Sequence, residues 1–183
     1  MLRALYLLIL IFLSGCAKEP TLDITFEQQS HKTIELNSWF FRGRLLVKSD
    51  DVLSANIQWQ HEIESDVLSL YGVLGLGKKK ILLNDRGVSL DEGKGFQYIS
   101  ANSDVFIAQQ LGISVPVKAL TAWVLGQPLK SEKYTAVLNG FEQLGWKIIY
   151  DRYKETPLGF MPHKLKASKD KMKLTLIVER WEK

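Results

Sequence analysis

The chain has 183 residues, 46% of them apolar and 24% charged, a balance that excludes both a disordered chain and a polytopic membrane protein. Lys and Arg total 24 against 20 Asp and Glu; the resulting +4 suits an anionic membrane surface but is too diffuse for a nucleic-acid binder. One cysteine, Cys16, rules out an internal disulfide, and with only three histidines a structural zinc site does not fit.

Met1 to Gly15 reads as a secretory signal. Arg3 supplies the positive start, and Ala4 to Leu13 is an uncharged apolar run. As a helix, that run spans roughly 15 Å, half of a hydrocarbon core about 30 Å thick, so it is a signal core and not a membrane span. Leu13-Ser14-Gly15-Cys16 follows at once and resembles the bacterial lipobox. That resemblance implies diacylglyceryl modification of Cys16, cleavage before it and acylation of the new amino terminus. Asp directly after the modified cysteine favours inner-membrane retention in such lipoproteins. Ala17 stands there, so the outer membrane is expected, with the domain facing the periplasm. Residues 16–37 read as a lipidated cysteine and a polar tether, with helix expected near Gln29 to Leu36. Residues 38–183 read as one folded domain.

From Trp39 the dominant period is two. Trp39, Phe41, Gly43, Leu45 and Val47 share one face, while Arg42, Arg44 and Lys48 lie on the other. Ala55, Ile57 and Trp59 alternate with Asn56, Gln58 and Gln60. These are patterns of half-buried antiparallel strands. Further strands are expected at Val67 to Tyr71, Lys79 to Asp85, Val88 to Leu90 and Phe96 to Ile99, and at Tyr134 to Leu138, Trp146 to Tyr150, Lys164 to Ser168 and Met172 to Glu179. Turn residues separate them, as at Asp85-Arg86-Gly87, Asn139-Gly140 and Ser168-Lys169-Asp170. About ten short strands predict a meander curling into a barrel or half-barrel.

Two helices interrupt the strands. Asn102 or Ser103 can cap one that runs to Leu111, with Gly112 past its end. Pro116 to Leu125 forms the other, with Val117, Leu120, Trp123 and Val124 on one face and Gly126 as its stop. Their place between two blocks of strands suits a cover across one mouth of the curled sheet.

No chemistry of catalysis is legible. Gly72 to Lys78 fits the front of a phosphate-binding loop, but Lys79 stands where Ser or Thr would hold magnesium, and a strand follows instead of a helix. His31, His61 and His163 are scattered, no Gly-x-Ser-x-Gly is present, and the only thiol is assigned to lipid. A binding or transfer role without cofactor or metal therefore outranks an enzyme. The segment Gly72 to Gly77 is half glycine, and Val73, Leu74 and Leu76 are otherwise all it contains. An apolar connector followed by Lys78-Lys79-Lys80 suits insertion at a membrane surface.

Trp39 to Val47 (WFFRGRLLV), Ile57 to Gln60 (IQWQ), Val73-Leu74-Gly75 between strands, Pro116 to Pro128 (PVKALTAWVLGQP) and Trp146 to Tyr150 (WKIIY), in this order behind a lipobox, resemble the LolB family of outer-membrane lipoprotein receptors in Gram-negative bacteria. The resemblance implies a mainly β fold: an antiparallel unclosed half-barrel with a helical lid over an apolar cavity. It implies a monomer that accepts acylated lipoproteins from the periplasmic carrier LolA and inserts them into the outer membrane without ATP. The family's protruding-loop leucine falls on Leu74, beside Val73, with Leu76 as the neighbouring alternative. On facing pattern, Trp39, Phe41, Trp59, Trp123 and Trp146 are expected to line the cavity. A structural or assembly lipoprotein docked on an outer-membrane complex is the competing expectation; it requires a filled core.

Overall fold

The computed structural model describes residues 36–72, 77–111 and 114–182, with side chains left undescribed at 110 and 111. The signal segment, Cys16, the tether as far as residue 35, Gly112 and the loop residues Val73, Leu74 and Leu76 lie outside the described residues.

Six strands come first: β1 (Trp39–Lys48), β2 (Val52–Glu62), β3 (Ser65–Tyr71), β4 (Lys79–Asn84), β5 (Gly87–Asp91) and β6 (Gln97–Ser100). Helices α1 (Ser103–Leu111) and α2 (Val117–Val124) follow. Five more strands close the chain: β7 (Tyr134–Val137), β8 (Gly140–Gln143), β9 (Trp146–Thr156), β10 (Gly159–Lys169) and β11 (Met172–Glu182). All eleven form one antiparallel sheet in the order β6-β5-β4-β3-β2-β1-β11-β10-β9-β8-β7. The first and last strands therefore pair in the middle, from Phe40↔Glu182 to Lys48↔Lys173, and β6 and β7 are the two outer edges. These edges do not pair, so the barrel is unclosed, and the chain crosses from one to the other through α1 and α2.

The period-two pattern is realised directly. β1 buries Trp39, Phe41, Gly43, Leu45 and Val47, and exposes Arg42, Arg44 and Lys48. Gly43 is required where β1 shifts register against β11: a Cβ there would stand 2.2 Å from the Ile177 carbonyl oxygen. The expected strands are present, most of them longer than the alternation indicated. Gly140–Gln143 adds a strand at a place read only as a turn: Leu138-Asn139 makes the two-residue connection, with Asn139 at φ 57°, and Gly140 already pairs with Val137.

The core divides into two aromatic groups. Trp39, Phe41, Trp59 and Trp181 gather at the central strands, with ring centroids 5.1 to 6.0 Å apart across Phe41–Trp181, Trp39–Trp59, Trp39–Trp181 and Phe41–Trp59. Beneath α2, Trp123 meets Trp146 at 6.3 Å, and Phe141, Tyr150 and Tyr153 continue the group.

Candidate functional site

The concave side of the sheet is apolar, and the two helices cover it. α2 presents Val117, Ala119, Leu120, Trp123 and Val124 inward, as the spacing predicts, while α1 buries Phe106 and Ile107. Between lid and sheet lies a cavity of about 20 Å³ with a wholly apolar lining. Leu45, Ile57, Trp59, Leu68 and Leu70 line it from β1 to β3, Leu174 and Leu176 from β11, and Ile107 and Leu120 from the lid. Small-molecule pockets commonly run to about 300–1,000 Å³. In this conformation the interior is thus nearly filled by its own side chains.

Of the five aromatic residues expected at the cavity, Trp59 lines it. Trp39 and Phe41 are fully buried in the central aromatic group beside it, and Trp123 and Trp146 pack together under α2. Trp59 is also held by polar contact: its Nε1 donates to Asp66 Oδ1 at 2.6 Å, and the same oxygen meets His61 Nδ1 at 2.8 Å.

The two helices are fastened differently. At the far end of α2, Trp123 Nε1 donates to Gln143 Oε1 (2.9 Å), and Tyr150 Oη donates to the Trp123 carbonyl (2.7 Å). Gln143, only 2% exposed, also accepts from Leu129 N–H and donates to the Leu129 and Glu132 carbonyls. Gly126, at φ +85°, turns the chain just past α2 where a Cβ would press on Pro162 and Tyr153 at 3.1 Å. In α1 the described side-chain bonds lie at its start. Asn102 caps it through Val105 N–H (3.1 Å), and Asp104 accepts from Val117 N–H (2.9 Å), tying α1 to the start of α2. Burial pushes the Tyr150 and Tyr153 hydroxyls far up, so both stay neutral inside.

Outside this lid, a groove of about 1210 Å³ runs along the mouth. The β2–β3 turn, Leu83 to Asp85, Ala101 to Asp104, Pro116 to Ala119 and Leu129 border it. The helices that roof the apolar cavity thus also border an open groove.

A family model described as outer membrane lipoprotein LolB matches residues 37–181, which is the whole described sheet but for its last residue, together with both helices. The chain belongs to the LolB family. An outer-membrane lipoprotein LolB from Francisella tularensis subsp. tularensis (strain WY96-3418) is 28% identical over 189 residues, covering 96% of this chain and 91% of that protein. One from Pseudomonas paraeruginosa (strain DSM 24068 / PA7) is 29% identical over 188 residues, covering 94% and 92%. Among solved structures, a LolA superfamily protein from Nitrosomonas europaea aligns with a TM-score of 0.49 and 10% identity, covering 87% of this chain and 93% of that one. As a LolB family member, the chain is a lipid-anchored outer-membrane lipoprotein with a part in lipoprotein localisation.

Gln143 and Asp104, which fasten the two helices here, carry no direct sequence signal for that role. A glutamine followed by a turn carries no periodic signal, and Asp104 reads equally well as a favourable first-turn charge. For Gln143 the available signal was a polar residue between the apolar Phe141 and Trp146, close to a helix that carries a tryptophan N–H in need of an acceptor.

Proposed function

We propose that this protein accepts acylated lipoproteins from a LolA-type periplasmic carrier and passes them into the outer membrane, holding their acyl chains against the concave face of the sheet without ATP and without catalysis. The lidded, wholly apolar interior of an unclosed sheet carries this reading. An acyl chain gains about 0.8 kcal/mol for each methylene taken out of water, so a dry apolar surface is the one feature such cargo requires. The closed cavity is too small for a chain, so occupancy requires the lid to lift. Ile107 and Leu120 are its lid-side residues; moving them outward joins the interior to the groove at the mouth. Because side-chain hydrogen bonds fasten α2 to β8 and β9 while the one from Asp104 of α1 goes to α2, the opening is expected on the α1 and β6 side.

In this reading Cys16 carries the lipid anchor after removal of residues 1–15, and residues 16–37 tether the domain to the membrane. Leu74, with Val73 and Leu76 beside it, acts in release at the bilayer. Transfer then needs only an order of affinities, carrier below receptor and receptor below bilayer, with each tenfold step worth about 1.4 kcal/mol. The deciding experiment is transfer of a lipoprotein from the carrier, followed by cross-linking from Trp59 or Leu68 positions to its acyl chains. Acyl adducts are expected inside the sheet, and Leu74→Glu is expected to leave acceptance intact while blocking membrane delivery.

The nearly filled interior also supports a second reading, a structural lipoprotein docked on an outer-membrane complex. A fluorescent fatty acid separates the two. Saturable uptake supports the acceptor, whereas its absence in a chain that still associates stably with an outer-membrane complex supports the structural role.

A further inference from the structure

The outer face of the central strands ends in a row of lysines. Lys48 of β1 stands directly across from Lys173 of β11; Lys173 pairs with Ser168 of β10, and Ser168 with Lys147 of β9. All three lysines are exposed, and none has an ion-pair partner among the described residues. Farther along these strands cations are neutralised within the molecule. Arg44 meets Glu179 at 2.8 Å, Arg42 and Arg180 share Glu182, and Lys164 and Lys166 share Asp151 at 2.9 and 2.8 Å. The two lysines oppose burial and hold the Asp151 carboxyl below its usual range. Arg152 and Lys154, toward the other end of β9, are outward cations of these strands that also meet no carboxylate among the described residues.

Like charges set opposite each other weaken a strand pair. Two lysines face to face, with a third in the same row, repel one another, and negative charge supplied from outside the molecule would relieve that repulsion. Glu142 faces Lys147 across the β8–β9 pair without closing an ion pair, and Asp50, Asp51 and Asp170 lie in the adjoining turns, equally without an ion-pair partner among the described residues. The neighbouring Lys171 is exposed in the β10–β11 turn, and Lys78 is exposed beside the connection after β3. Antiparallel pairing makes β1, β3 and β10 run the same way, so the row and the 72–78 connection leave the sheet at one end. That end is opposite the β2–β3 turn that borders the mouth.

We propose that Lys48, Lys147 and Lys173 form a binding face for the headgroups of anionic phospholipids, orienting the barrel with this end on the membrane and its mouth toward the periplasm. The proposal rests on the acceptor reading for its purpose, since that reading puts the apolar release loop at the same end. Headgroup contacts at this end would bring the segment after β3 to the bilayer, where the acceptor reading has acyl chains leave the protein.

The test uses the chain from residue 16 onward with Cys16→Ser, so that binding reports the face and not the anchor. Flotation is measured with vesicles of phosphatidylethanolamine alone or mixed with phosphatidylglycerol, at low and high salt. Binding is expected to rise with phosphatidylglycerol and to fall with salt. Lys48→Gln, Lys147→Gln and Lys173→Gln should each weaken it about fivefold, and together on the order of a hundredfold, with binding to phosphatidylethanolamine alone unchanged. Equal affinity for both vesicle types overturns the proposal, as does a triple variant that binds phosphatidylglycerol vesicles like its parent. Intact vesicle binding with lost uptake from the carrier also overturns it, because the row would then be a docking face for an acidic protein. If Leu74→Glu delivers cargo normally while the lysine variants lose phosphatidylglycerol binding, the loop reading fails and the lysine face stands.

Discussion

Replacing Gln143 with leucine tests how the lid is held. The change keeps roughly the same volume but removes both the acceptor of the Trp123 and Leu129 N–H groups and the donor to the Leu129 and Glu132 carbonyls. Trp123 is fully buried, so its indole N–H loses its partner with no water to replace it, at about 1–3 kcal/mol. The backbone groups at Leu129 and Glu132 are only partly buried, and water recovers most of their bonds. The sum is about 2–4 kcal/mol of folding stability, a lowering of the thermal midpoint by roughly 5–12 °C. Because the lost bonds connect α2 to β8, the same variant should take up a fluorescent fatty acid faster than the parent. Gln143→Glu refines the test: its second oxygen would face two carbonyls, so the variant should be weakest at neutral pH and recover on acidification, when the carboxyl can donate. A loss under about 0.5 kcal/mol for Gln143→Leu, with unchanged uptake, would show that apolar packing alone holds α2 and would refute the reasoning.

Lys48→Gln with Lys173→Gln should raise the midpoint in urea or heat, since the pair sits directly opposite; equal or lower stability would mean the repulsion is fully screened. His163 donates from Nδ1 to the Val178 carbonyl, and burial, followed by the nearby Lys154, lowers its pKa below 6.5. The folded state therefore favours the neutral ring, so stability should decline as pH falls from about 6.5 toward the lowered value, and His163→Gln should flatten that decline in thermal scans. Gly43→Ala forces a Cβ against the Ile177 carbonyl at the β1–β11 shift and should cost well over the roughly 1 kcal/mol of an ordinary substitution, read by chemical denaturation.

Much of this architecture could be read from local pattern, because strand alternation and helix punctuation are local. β1 follows its period-two stripe over its full length, and α2 follows Val117, Leu120, Trp123 and Val124. What escaped is set by distance along the chain. Nothing near Lys48 or Lys173 indicates that the two face each other, because the pairing of first and last strands is a property of the sheet order. β8 escaped because a four-residue strand beginning at glycine offers too little alternation to register. The size of the cavity was equally hidden: a stripe of Leu, Ile and Trp looks the same whether the side chains opposite touch or stand apart. The placement of Trp39 and Phe41 beside the cavity, with only Trp59 lining it, depends on packing that alternation does not encode.

The pairing of β1 with β11 makes the carboxy-terminal strand the spine of the sheet instead of its margin. A premature stop that removed β11 would split the sheet into two separate fans, joined only through the helical strap on the far side. Joining them requires contacts between residues more than a hundred positions apart, which makes assembly slow relative to folds built from neighbouring hairpins.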